Sequence, residues 1–509
     1  MIPKFPLILT LIIAGLLSWL WLTDHVFRSG GLMILTPLWL LLMGLWWALH
    51  RSGVRLKRLG LFVLGFVAVM ATFRFLIRYE GSADGSALPS LTWRWQKRTM
   101  LPALHNIAGD ATAISTASVG VADMPRFLGA EGDGVLPEPG WQTDWKAHPP
   151  REVWRSAMGD GWSGFAVVGN RAITQEQRGE EECVTCYDIT TGKLLWSHAD
   201  AVRFDEAMGG IGPRATPTVD VAKGVVFTLG ATGLLNCLDV VTGVSRWSHA
   251  VMQDTNAAGH LQWAQSSSPL IVGDFVVCSG GEKGSSLIAY RCDDGQIAWR
   301  AGNDGGSYSS PVRMTLAGRE QIVNVNNASV TGHDPATGVV LWSFDWPGAF
   351  PKVAQPVQTA PDRVLVTSSY GLKSHMLEIK ADASGKLICS PVWSGSAPRT
   401  KFSSASVFGT HGYAIDEGTL CCVDLASGER GWREGRYGFG QQIRVGRQWL
   451  LIQAEKGFVA LIKPNPERLE EVSRLEALSA KTWNPPTLAG RWLLVRNDRE
   501  AVCFELPTK

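Results

Sequence analysis

The 509-residue chain has few charged side chains, 18% of the total, and its Lys and Arg residues are scattered along the sequence without a long basic stripe. Its formal net charge is only +2. Surfaces that bind nucleic acid are built from clustered Lys and Arg side chains. This balance therefore speaks against nucleic acid as a partner.

The motifs of several enzyme classes are also missing. The sequence contains no catalytic Ser-His-Asp order, no phosphate-binding P-loop and no HExxH, and its ten His residues lack the spacing of metal ligands. No cluster of Glu, Asn and Asp stands out as a site for a hard cation, which needs about six to eight oxygen ligands. Hydrolytic and nucleotide-driven activities are not supported.

By contrast, Gly, Pro and Trp are abundant, with 55, 26 and 22 copies. Such a composition favours many short strands joined by tight turns over helical bundles. Because single hydrophobic cores stop growing at roughly 250–300 residues, the chain is expected to form several domains or a repeat array. We expect an all-β body.

Long apolar runs occur near the N-terminus, at residues 5–22, 32–49 and 59–77, and Arg74 is their only charged residue. Each run is about long enough to cross a ~30 Å hydrocarbon core as a helix. A cleaved signal peptide is disfavoured because no small-x-small site follows the first run. A lipoprotein anchor is excluded because the first cysteine is Cys183. The sequence predicts a membrane domain of three transmembrane helices over residues 1–79.

Charge bias predicts the orientation of these helices. The first loop contains Asp24 and Arg28, whose charges cancel, and the second is basic, with the residues Arg51, Arg55, Lys57 and Arg58. Basic loops stay in the cytoplasm. We therefore expect a cytoplasmic N-terminus, with all residues after Tyr79 outside the cytoplasm; in a Gram-negative bacterium this is an inner-membrane protein with a periplasmic body.

Residues 80–150 carry Ser, Ala, Gly and Pro without sustained periodicity, as in SADGSALPS and GAEGDGVLPEPG. They are predicted to be an irregular linker. Deleting residues 1–140 should then leave a soluble, folded body over residues 151–509.

From residue 151 onward one phrase recurs. DITTGKLLW, DVVTGVSRW, DPATGVVLW and DLASGERGW share the pattern D-x-x-[TS]-G-x-x-x-W, and two looser copies end at Trp299 and Trp393. In each phrase Asp closes a turn, Gly supplies a positive φ, and Trp begins a strand with a large apolar face. Self-similarity at this period is typical of a β-propeller.

A second recurring element gives the number of blades. Eight inner-strand openings begin at Gly164, Thr216, Ser268, Ser310, Gln355, Ser404, Gln441 and Pro485. The eighth opening lacks an outer strand, whereas the segment PREVW, ending at Trp154, has no blade of its own. We predict that this N-terminal strand completes the eighth blade and closes the ring, which leaves no free sheet edge. A chain starting at Gly161 should then have an open edge.

The repeated phrase resembles the tryptophan-docking motif of propellers with pyrroloquinoline-quinone (PQQ) repeats. The resemblance covers roughly residues 151–506 and predicts docking tryptophans at Trp154, Trp196, Trp247, Trp299, Trp342, Trp393 and Trp432. That superfamily contains quinoprotein alcohol and glucose dehydrogenases and also cofactor-free members such as an outer-membrane assembly lipoprotein. The resemblance therefore implies a quinoprotein-dehydrogenase-like fold without deciding the function.

Two cysteine pairs allow a functional interpretation. Cys421-Cys422 resembles the vicinal disulfide near the quinone in several dehydrogenases, and Cys183-x-x-Cys186 has the spacing of a redox or metal pair. The structural interpretation is favoured, because Cys186, Cys422 and two further cysteines occupy one position of the repeat that suits a small buried side chain. Adjacent strand residues also point to opposite faces, which disfavours a vicinal bridge.

Residues just before each inner strand are expected to line the mouth of the central channel. Candidate ligand-binding residues there are Trp162, Arg214, Tyr308, Gln355, Lys401, Gln441, Trp483 and Asn484, with the small or polar neighbours Ser163, Thr216, Ser268, Ser309 and Ser403 and the aromatic Phe439. Such residues would suit a small anionic or carbonyl-bearing ligand, or a peptide end. The alternative is that small side chains are simply needed where eight strands converge. The acidic run EQRGEEE, residues 176–182, is predicted to be a solvated hairpin loop.

These patterns favour a membrane-anchored, non-catalytic binding or scaffolding propeller outside the cytoplasm, with no cofactor and with a protein or small polar ligand as its partner. The alternative is a membrane-bound PQQ-dependent alcohol or sugar dehydrogenase, with PQQ and Ca²⁺. Membrane-bound glucose dehydrogenases resemble this layout, but eight blades in about 350 residues leave little room for the insertions that build a quinone pocket.

Overall fold

The computed structural model describes residues 4–22, 28–50, 55–86, 88–96, 100–110, 123–138, 140–348 and 350–509. The chain forms two units, Met1–Thr99 with Glu206–Gly210, and Met100–Asp205 with Ile211–Lys509. The first contains the apolar helices and the second contains the propeller.

Three helices are long and apolar enough to cross a membrane, α1 (Lys4–Leu22), α2 (Arg28–Leu49) and α3 (Arg55–Ala71), the last extended by a π-helical turn, Thr72–Leu76. Most of their large apolar side chains are exposed, as a lipid-facing surface requires. The three predicted apolar helices are thus confirmed to within a few residues.

The charged residues behind the predicted orientation are only partly described. Asp24 and Arg51 lie outside the described residues. Arg55, Lys57 and Arg58, predicted to lie in a loop, instead belong to the first turn of α3. The helix begins earlier than expected because Arg and Lys are good helix formers.

A hairpin of β1 (Ile77–Ser82) and β2 (Pro89–Trp93) follows the helices. The segment predicted as an irregular linker thus begins with paired strands. Its later part contains β3 (Val135–Leu136), which belongs to the propeller.

The propeller consists of eight sheets arranged as blades around a central channel. From the channel outward, blades 1 to 4 contain β5 (Ala166–Val168), β6 (Arg171–Arg178), β7 (Glu181–Asp188) and β8 (Leu194–Asp200); β11 (Thr218–Asp220), β12 (Val225–Leu229), β13 (Leu234–Asp239) and β14 (Ser245–Ala250); β15 (Leu270–Val272), β16 (Phe275–Ser279), β17 (Leu287–Arg291) and β18 (Ile297–Ala301); and β19 (Val312–Leu316), β20 (Arg319–Val325), β21 (Ser329–His333) and β22 (Val340–Asp345). Blades 5 to 8 contain β23 (Val357–Ala360), β24 (Arg363–Val366), β25 (Ser374–Ala381) and β26 (Leu387–Gly395); β27 (Ser406–Phe408), β28 (His411–Asp416), β29 (Thr419–Asp424) and β30 (Arg430–Arg436); β31 (Gln441–Val445), β32 (Trp449–Gln453), β33 (Phe458–Ile462) and β34 (Glu471–Glu476); and β35 (Thr487–Ala489), β36 (Trp492–Arg496), β37 (Glu500–Glu505) and β4 (Arg151–Ala157).

All eight predicted inner-strand openings are confirmed. The short strands β9 (Asp205–Glu206) and β10 (Gly210–Ile211) lie in the link between blades 1 and 2, and a four-residue helix, α4 (Val251–Asp254), follows β14. The inner strand of every blade begins at one face of the ring, the front, and ends at the other, the back. The connections between blades and the turns between second and third strands therefore lie at the front.

Ring closure by the N-terminal strand is confirmed. β4 pairs antiparallel with β37, the last strand of the chain, and places Trp154 opposite Cys503. The Trp154 side chain is buried between blades 8 and 1, and its Nε1 donates a hydrogen bond of 2.7 Å to the carbonyl of Ile189. With β4 in place, the eighth blade has four strands from the channel outward, like blades 1 to 6.

The recurring phrase forms a turn that joins neighbouring blades. In blade 1 the Asp188 carboxylate accepts the backbone N–H groups of Thr190 and Thr191 at 3.0 and 2.9 Å. Gly192 follows with φ of 70°, and a Cβ there would lie 2.7 Å from Trp154 Cδ2. Only glycine supplies both the backbone angle and the space for the tryptophan of the preceding blade.

Most predicted docking tryptophans make the same contact. The Nε1 groups of Trp154, Trp196, Trp247, Trp393 and Trp432 donate to backbone carbonyls of the next blade. Trp342 instead donates to Gln321 of its own blade at 2.6 Å. Trp299 packs against Gly338 of the next blade, but its Nε1 has no partner among the described residues.

The position two residues before the repeated Asp lies directly opposite the tryptophan of the adjacent strand. Cys186 faces Trp196 and Gly332 faces Trp342 in the register of their strand pairs. A cysteine, alanine or glycine leaves room there for the indole ring. The structural interpretation of this repeat position therefore has a direct physical basis.

Candidate functional site

The sequence-predicted ligand residues lie at the front face, at or just before the inner strands. Aromatic rings form a row along part of this face, with Trp162 and Trp483 4.8 Å apart and Phe402 5.1 Å from Trp483. Trp162 and Trp483 are buried. The row is mostly interior packing of the front face.

The two candidate cations are engaged by their own protein. Lys401 Nζ lies 4.8 Å from the Tyr370 ring centre, 4.4 Å from that of Phe439 and 3.9 Å from a carboxylate oxygen of Glu417. The Arg214 guanidinium lies 4.6 Å from the ring centre of Phe204. The sequence predicted that these two cations bind an external anion. In the structure their positive charges are already stabilised by contacts within the protein.

The amide and indole groups at this face hold neighbouring blades together. Trp483 Nε1 donates to Glu455 at 2.7 Å, and Gln441 Nε2 donates to the carbonyl of Phe402 at 2.9 Å. Asn484 Nδ2 donates to the carbonyl of Ser163 at 2.8 Å. These three candidates therefore have structural partners.

Two further candidates differ in their surroundings. Tyr308 packs 5.7 Å from the Trp263 ring, and its hydroxyl oxygen accepts the Trp263 backbone N–H at 3.4 Å. Gln355 lines a cavity of about 630 Å³.

Small residues at the front face form a ladder of hydrogen bonds around the channel. The N–H of Gly164 donates to Thr216 Oγ1 at 3.1 Å, and the N–H of Thr216 donates to Ser268 Oγ at 3.0 Å. Likewise Ser268 donates to Ser310 Oγ at 2.9 Å, and the N–H of Gln355 donates to Ser404 Oγ at 2.8 Å. Each hydroxyl accepts from the preceding blade, so convergence of strands explains several predicted small residues. At blades 4 and 6 the accepting hydroxyls belong to Ser310 and Ser404, each one residue after the predicted Ser309 and Ser403.

Residues 123–138, here called the channel segment, lie inside the ring. Met124 bridges to Val167 of β5, and β3 pairs in parallel with β31 on the channel side of blade 7. Between these points Glu131 forms an ion pair with Arg313 of β19 at 2.7 Å. The segment therefore contacts inner strands on several sides of the channel.

Buried apolar residues fix the channel segment. Met124, Leu128 and Leu136 share a core with blades 7 and 8. Trp141 and Trp145, which follow the segment, join the same core. Sequence reasoning missed this role because residues 80–150 show neither periodicity nor a recurring motif.

A cavity of about 630 Å³ separates the channel segment from the inner strands of blades 4 to 7. Its polar lining includes Glu131, Arg313, Glu320, Gln355, Gln442 and Arg444. Thr315 and Gln358, also in its wall, are exposed, so the cavity opens to solvent. Its volume lies within the range of roughly 300–1,000 Å³ that is typical of ligand pockets.

The acidic run EQRGEEE forms a hairpin, as predicted, but only Gly179 and Glu180 form its turn, with the Glu180 side chain 82% exposed, and most of the run is not a solvated loop. Glu176 and Glu182 lie in β6 and β7 and are buried. The Glu176 carboxylate accepts a hydrogen bond from the Tyr187 hydroxyl at 2.7 Å. Burial raises the pKa of Glu176, but Arg178 and Arg496 lower it, and the net shift of the pKa is downward. Arg496, distant in sequence, supplies a charge that makes burial of this carboxylate tolerable.

Known proteins that are similar to this chain belong to propeller families, in agreement with the fold. The family model described as outer membrane protein assembly factor BamB matches residues 180–434, half of the chain. The chain belongs to this PQQ-repeat family. No curated protein matches the chain in sequence.

Solved structures of PQQ-repeat propellers share the fold. BamB from Moraxella catarrhalis is 14% identical, with a TM-score of 0.51 over 70% of this chain and 100% of that one. Quinohemoprotein alcohol dehydrogenase from Comamonas testosteroni is 12% identical, with a TM-score of 0.55 over 76% of this chain and 81% of that one. A europium-containing methanol dehydrogenase is 12% identical, with a TM-score of 0.53 over 74% and 89% of the two chains. At such identities the similarity shows the fold alone.

The PQQ-repeat family includes quinone enzymes, so the donor groups of this chain bear on whether a quinone and Ca²⁺ would fit. Among the described residues, no three or more His, Cys, Asp or Glu side chains are grouped to hold a metal ion. Cys421 packs in the core between blades 5 and 6, whereas Cys422 packs in the core between blades 6 and 7. The two thiols therefore point to opposite faces and do not form a vicinal bridge. These residues do not fit a bound quinone with its Ca²⁺ ion.

The second cysteine pair is equally buried. Cys183 and Cys186 are free thiols three positions apart in β7, so their side chains point to opposite faces of the sheet. Burial raises the pKa of Cys183 to about 12 and that of Cys186 further. Neither thiol has the low pKa of a reactive or metal-binding cysteine.

Proposed function

We propose that this protein is a membrane-anchored, non-catalytic binding propeller outside the cytoplasm, where it serves as a scaffold for a protein partner or a small polar ligand. The observation that carries the proposal is the occupation of the channel by residues 123–138 of the same chain. The segment fills part of the channel and leaves a cavity of a size suited to binding a small polar ligand or the end of a peptide.

The contacts of the front-face cations support the same role. Catalysis requires polar groups aimed at a reacting atom, but Lys401 is held by Glu417 and two aromatic rings. Arg496 and Arg178 are likewise held around Glu176. BamB is described as an outer membrane protein assembly factor, and by analogy we propose that a protein is the main partner here.

Turnover is the sharpest test of the non-catalytic role. Purified full-length protein is mixed with PQQ and Ca²⁺, and dye reduction is followed with a panel of alcohols and sugars. We expect no reduction above a protein-free mixture, while a quinoprotein dehydrogenase reconstituted in the same buffer provides the positive control. Robust turnover would refute the scaffold role and favour a PQQ-dependent dehydrogenase.

The proposed orientation is tested separately. A reporter that is active only in the cytoplasm, fused after Lys509, should give no signal. The same reporter fused after His50, between the second and third spans, should give a strong signal because this loop is proposed to be cytoplasmic. The reverse pattern would place the propeller inside the cell.

A further inference from the structure

Arg126 of the channel segment is a buried cation without a matching partner. Its side chain is only 9% exposed, and its Nε has no hydrogen-bond partner among the described residues. Glu131, the acid that acts most strongly on the charge of Arg126, already pairs with Arg313 at 2.7 Å. Burial lowers the pKa of Arg126, Glu131 and Asp133 raise it in part, and Arg313 lowers it again. Two guanidinium groups therefore share the field of two carboxylates, and the net shift of the Arg126 pKa is still downward.

Hydroxyl donors surround the same place. A space of about 20 Å³ beside Arg126 is lined by Ser268, Ser310, Gln355 and Arg313. The hydroxyl oxygens of Ser268 and Ser310 each accept a backbone N–H. A hydroxyl that accepts one bond keeps its own proton available for donation. The space thus offers several N–H and O–H donors to one acceptor group.

The small space adjoins the 630 Å³ cavity, with Glu131, Arg313 and Gln355 in the lining of both. The other acidic residues of the cavity, Asp133 and Glu320, line only its larger part. The positive end of the cavity is therefore the end at Arg126.

We propose that Arg126, with Ser268, Ser310 and Gln355, binds the carboxylate of a small organic ligand whose remainder occupies the 630 Å³ cavity. Burying a guanidinium nitrogen without a hydrogen-bond partner is unfavourable, so a bound anion would relieve a penalty that the free protein carries. A space near 20 Å³ holds about one water-sized group, so it suits an oxygen of a planar carboxylate better than a tetrahedral phosphate. The guanidinium fork matches a carboxylate in geometry as well as in charge.

This assignment rests on the proposed binding role and names the ligand chemistry of that role. The carboxylate can belong to a free polycarboxylate or to a peptide C-terminus. Calorimetric titration of the full-length protein with citrate, trialanine, trialanine amide and inorganic phosphate separates these sources. We expect citrate or trialanine to bind, and the amide and phosphate to bind at least about tenfold more weakly, because each lacks the planar carboxylate.

Variants locate the binding. Arg126→Met should weaken carboxylate binding by roughly tenfold to a hundredfold, the value of one or two charge-assisted hydrogen bonds. Arg319→Met is the matched control, because it removes the same charge from an exposed residue that pairs with Asp334 and does not line the cavity. That variant should bind like the wild type.

Thermal unfolding supplies a second measurement. Arg126→Met should melt at or above the wild-type temperature without ligand, and citrate should raise the melting temperature of the wild type only. Gln355→Leu should weaken binding while Arg126 remains, which covers the case of a poorly folded Arg126 variant. Equal binding by Arg126→Met and wild type, or no carboxylate binding by the wild type, would overturn the site. Neither result would change the outcome of the dye-reduction assay.

Discussion

The outer belt of the propeller and its channel are stabilised in opposite ways. In the belt one contact repeats between neighbouring blades, with Asp188, Gly192 and Trp154 at one junction and equivalents at others. In the channel, each contact of residues 123–138 occurs once and joins distant parts of the chain, as between Val135 and Arg444. Because the contacts of the belt repeat, they can be predicted from a repeat in the sequence. The contacts of the channel segment occur once each and produce no repeat in the sequence.

The two regions also differ in how they tolerate change. A repeat array distributes its stability over similar contacts between neighbouring blades. The loss of one such contact should therefore lower the free energy of unfolding by a similar amount at every blade. The channel segment contacts several blades at once, so its loss should affect the whole ring. Four experiments measure this difference.

The largest effect is expected from removing the channel segment while keeping the ring-closing strand. A chain that starts at Pro150 loses five side chains from the core between blades 7 and 8: Met124, Leu128, Leu136, Trp141 and Trp145. At about 1.5–3 kcal/mol each the loss is roughly 10 kcal/mol, comparable to the stability of a whole domain. We expect aggregation, whereas a chain that starts at Asp123 should stay soluble. Circular dichroism and light scattering compare the two.

This result would also correct an expectation drawn from the sequence. Deletion of residues 1–140 was expected to leave a folded propeller, but it removes Met124, Leu128 and Leu136 from the core. Equal solubility of the two truncated chains would instead mean that the segment is dispensable.

Loss of one belt junction should have a smaller, uniform effect. Trp154→Ala and Trp196→Ala each remove a buried indole and its hydrogen bond to the next blade, which should cost about 3–5 kcal/mol. Urea unfolding of the full-length variants in detergent measures the cost, and the Trp→Phe changes should recover part of it. A cost for Trp154 far above that for Trp196 would show that the closing junction is unlike the others.

A front-face contact outside the repeat should make stability depend on pH. The Glu182 carboxylate accepts the Ala231 N–H of blade 2 at 3.0 Å, and burial raises the pKa of Glu182 to about 7. The unfolded chain has a lower pKa, near 4.3, so the folded state favours the protonated acid. Stability from this group is therefore present below about pH 4.3 and is lost as the pH rises through about 7.

Glu182→Gln should remove this loss, which amounts to about 4 kcal/mol at most. Unfolding free energies at pH 5 and pH 8 measure it in the wild type and in the variant. Glu180→Gln is the control, because the Glu180 side chain is 82% exposed. An identical pH dependence in the wild type and the Glu182 variant would contradict the assignment.

The smallest effect is expected at a single turn of the belt. Asp188→Ala removes the acceptor of two backbone N–H groups and should cost about 1–2 kcal/mol. Burial raises the pKa of Asp188, but hydrogen bonds from Thr190 and Thr191 lower it more. Its stabilisation is thus present above the unfolded pKa and is lost in acid as the pH falls through the folded value. Asp188→Asn should keep most of the bonds and lack the acid-dependent loss, as thermal melts at pH 3 and pH 7 would reveal.

Sequence reasoning reached the fold because the physics of the belt is local. Gly192 must have a positive φ and must leave room for Trp154, and both demands reappear as the same letters in later blades. Ring closure was also predictable, since a strand ending at Trp154 had no blade. These inferences needed no knowledge of distant contacts.

The site was harder to predict, because its partners are unique in sequence. Lys401 was correctly placed at the front face, but Tyr370 and Glu417, which engage it, lie in turns between strands whose sequences vary from blade to blade. Arg126 lies in a segment without periodicity and becomes buried only because β3 pairs with β31. Arg496 likewise gave no sign of its role beside Glu176.

Ring closure by β4 determines when the protein can finish folding during biosynthesis. The residues that fill the channel and close the ring are made before the inner strands of blades 1 to 8, but their partners include Leu488 and Cys503, near the end of the chain. Until the ribosome completes the last blade, the apolar side chains of Met124 and Trp154 cannot pack in their native positions. Contacts this distant in sequence form slowly, and the waiting intermediate exposes surface that aggregates. The nascent chain is therefore expected to depend on chaperones for most of its synthesis.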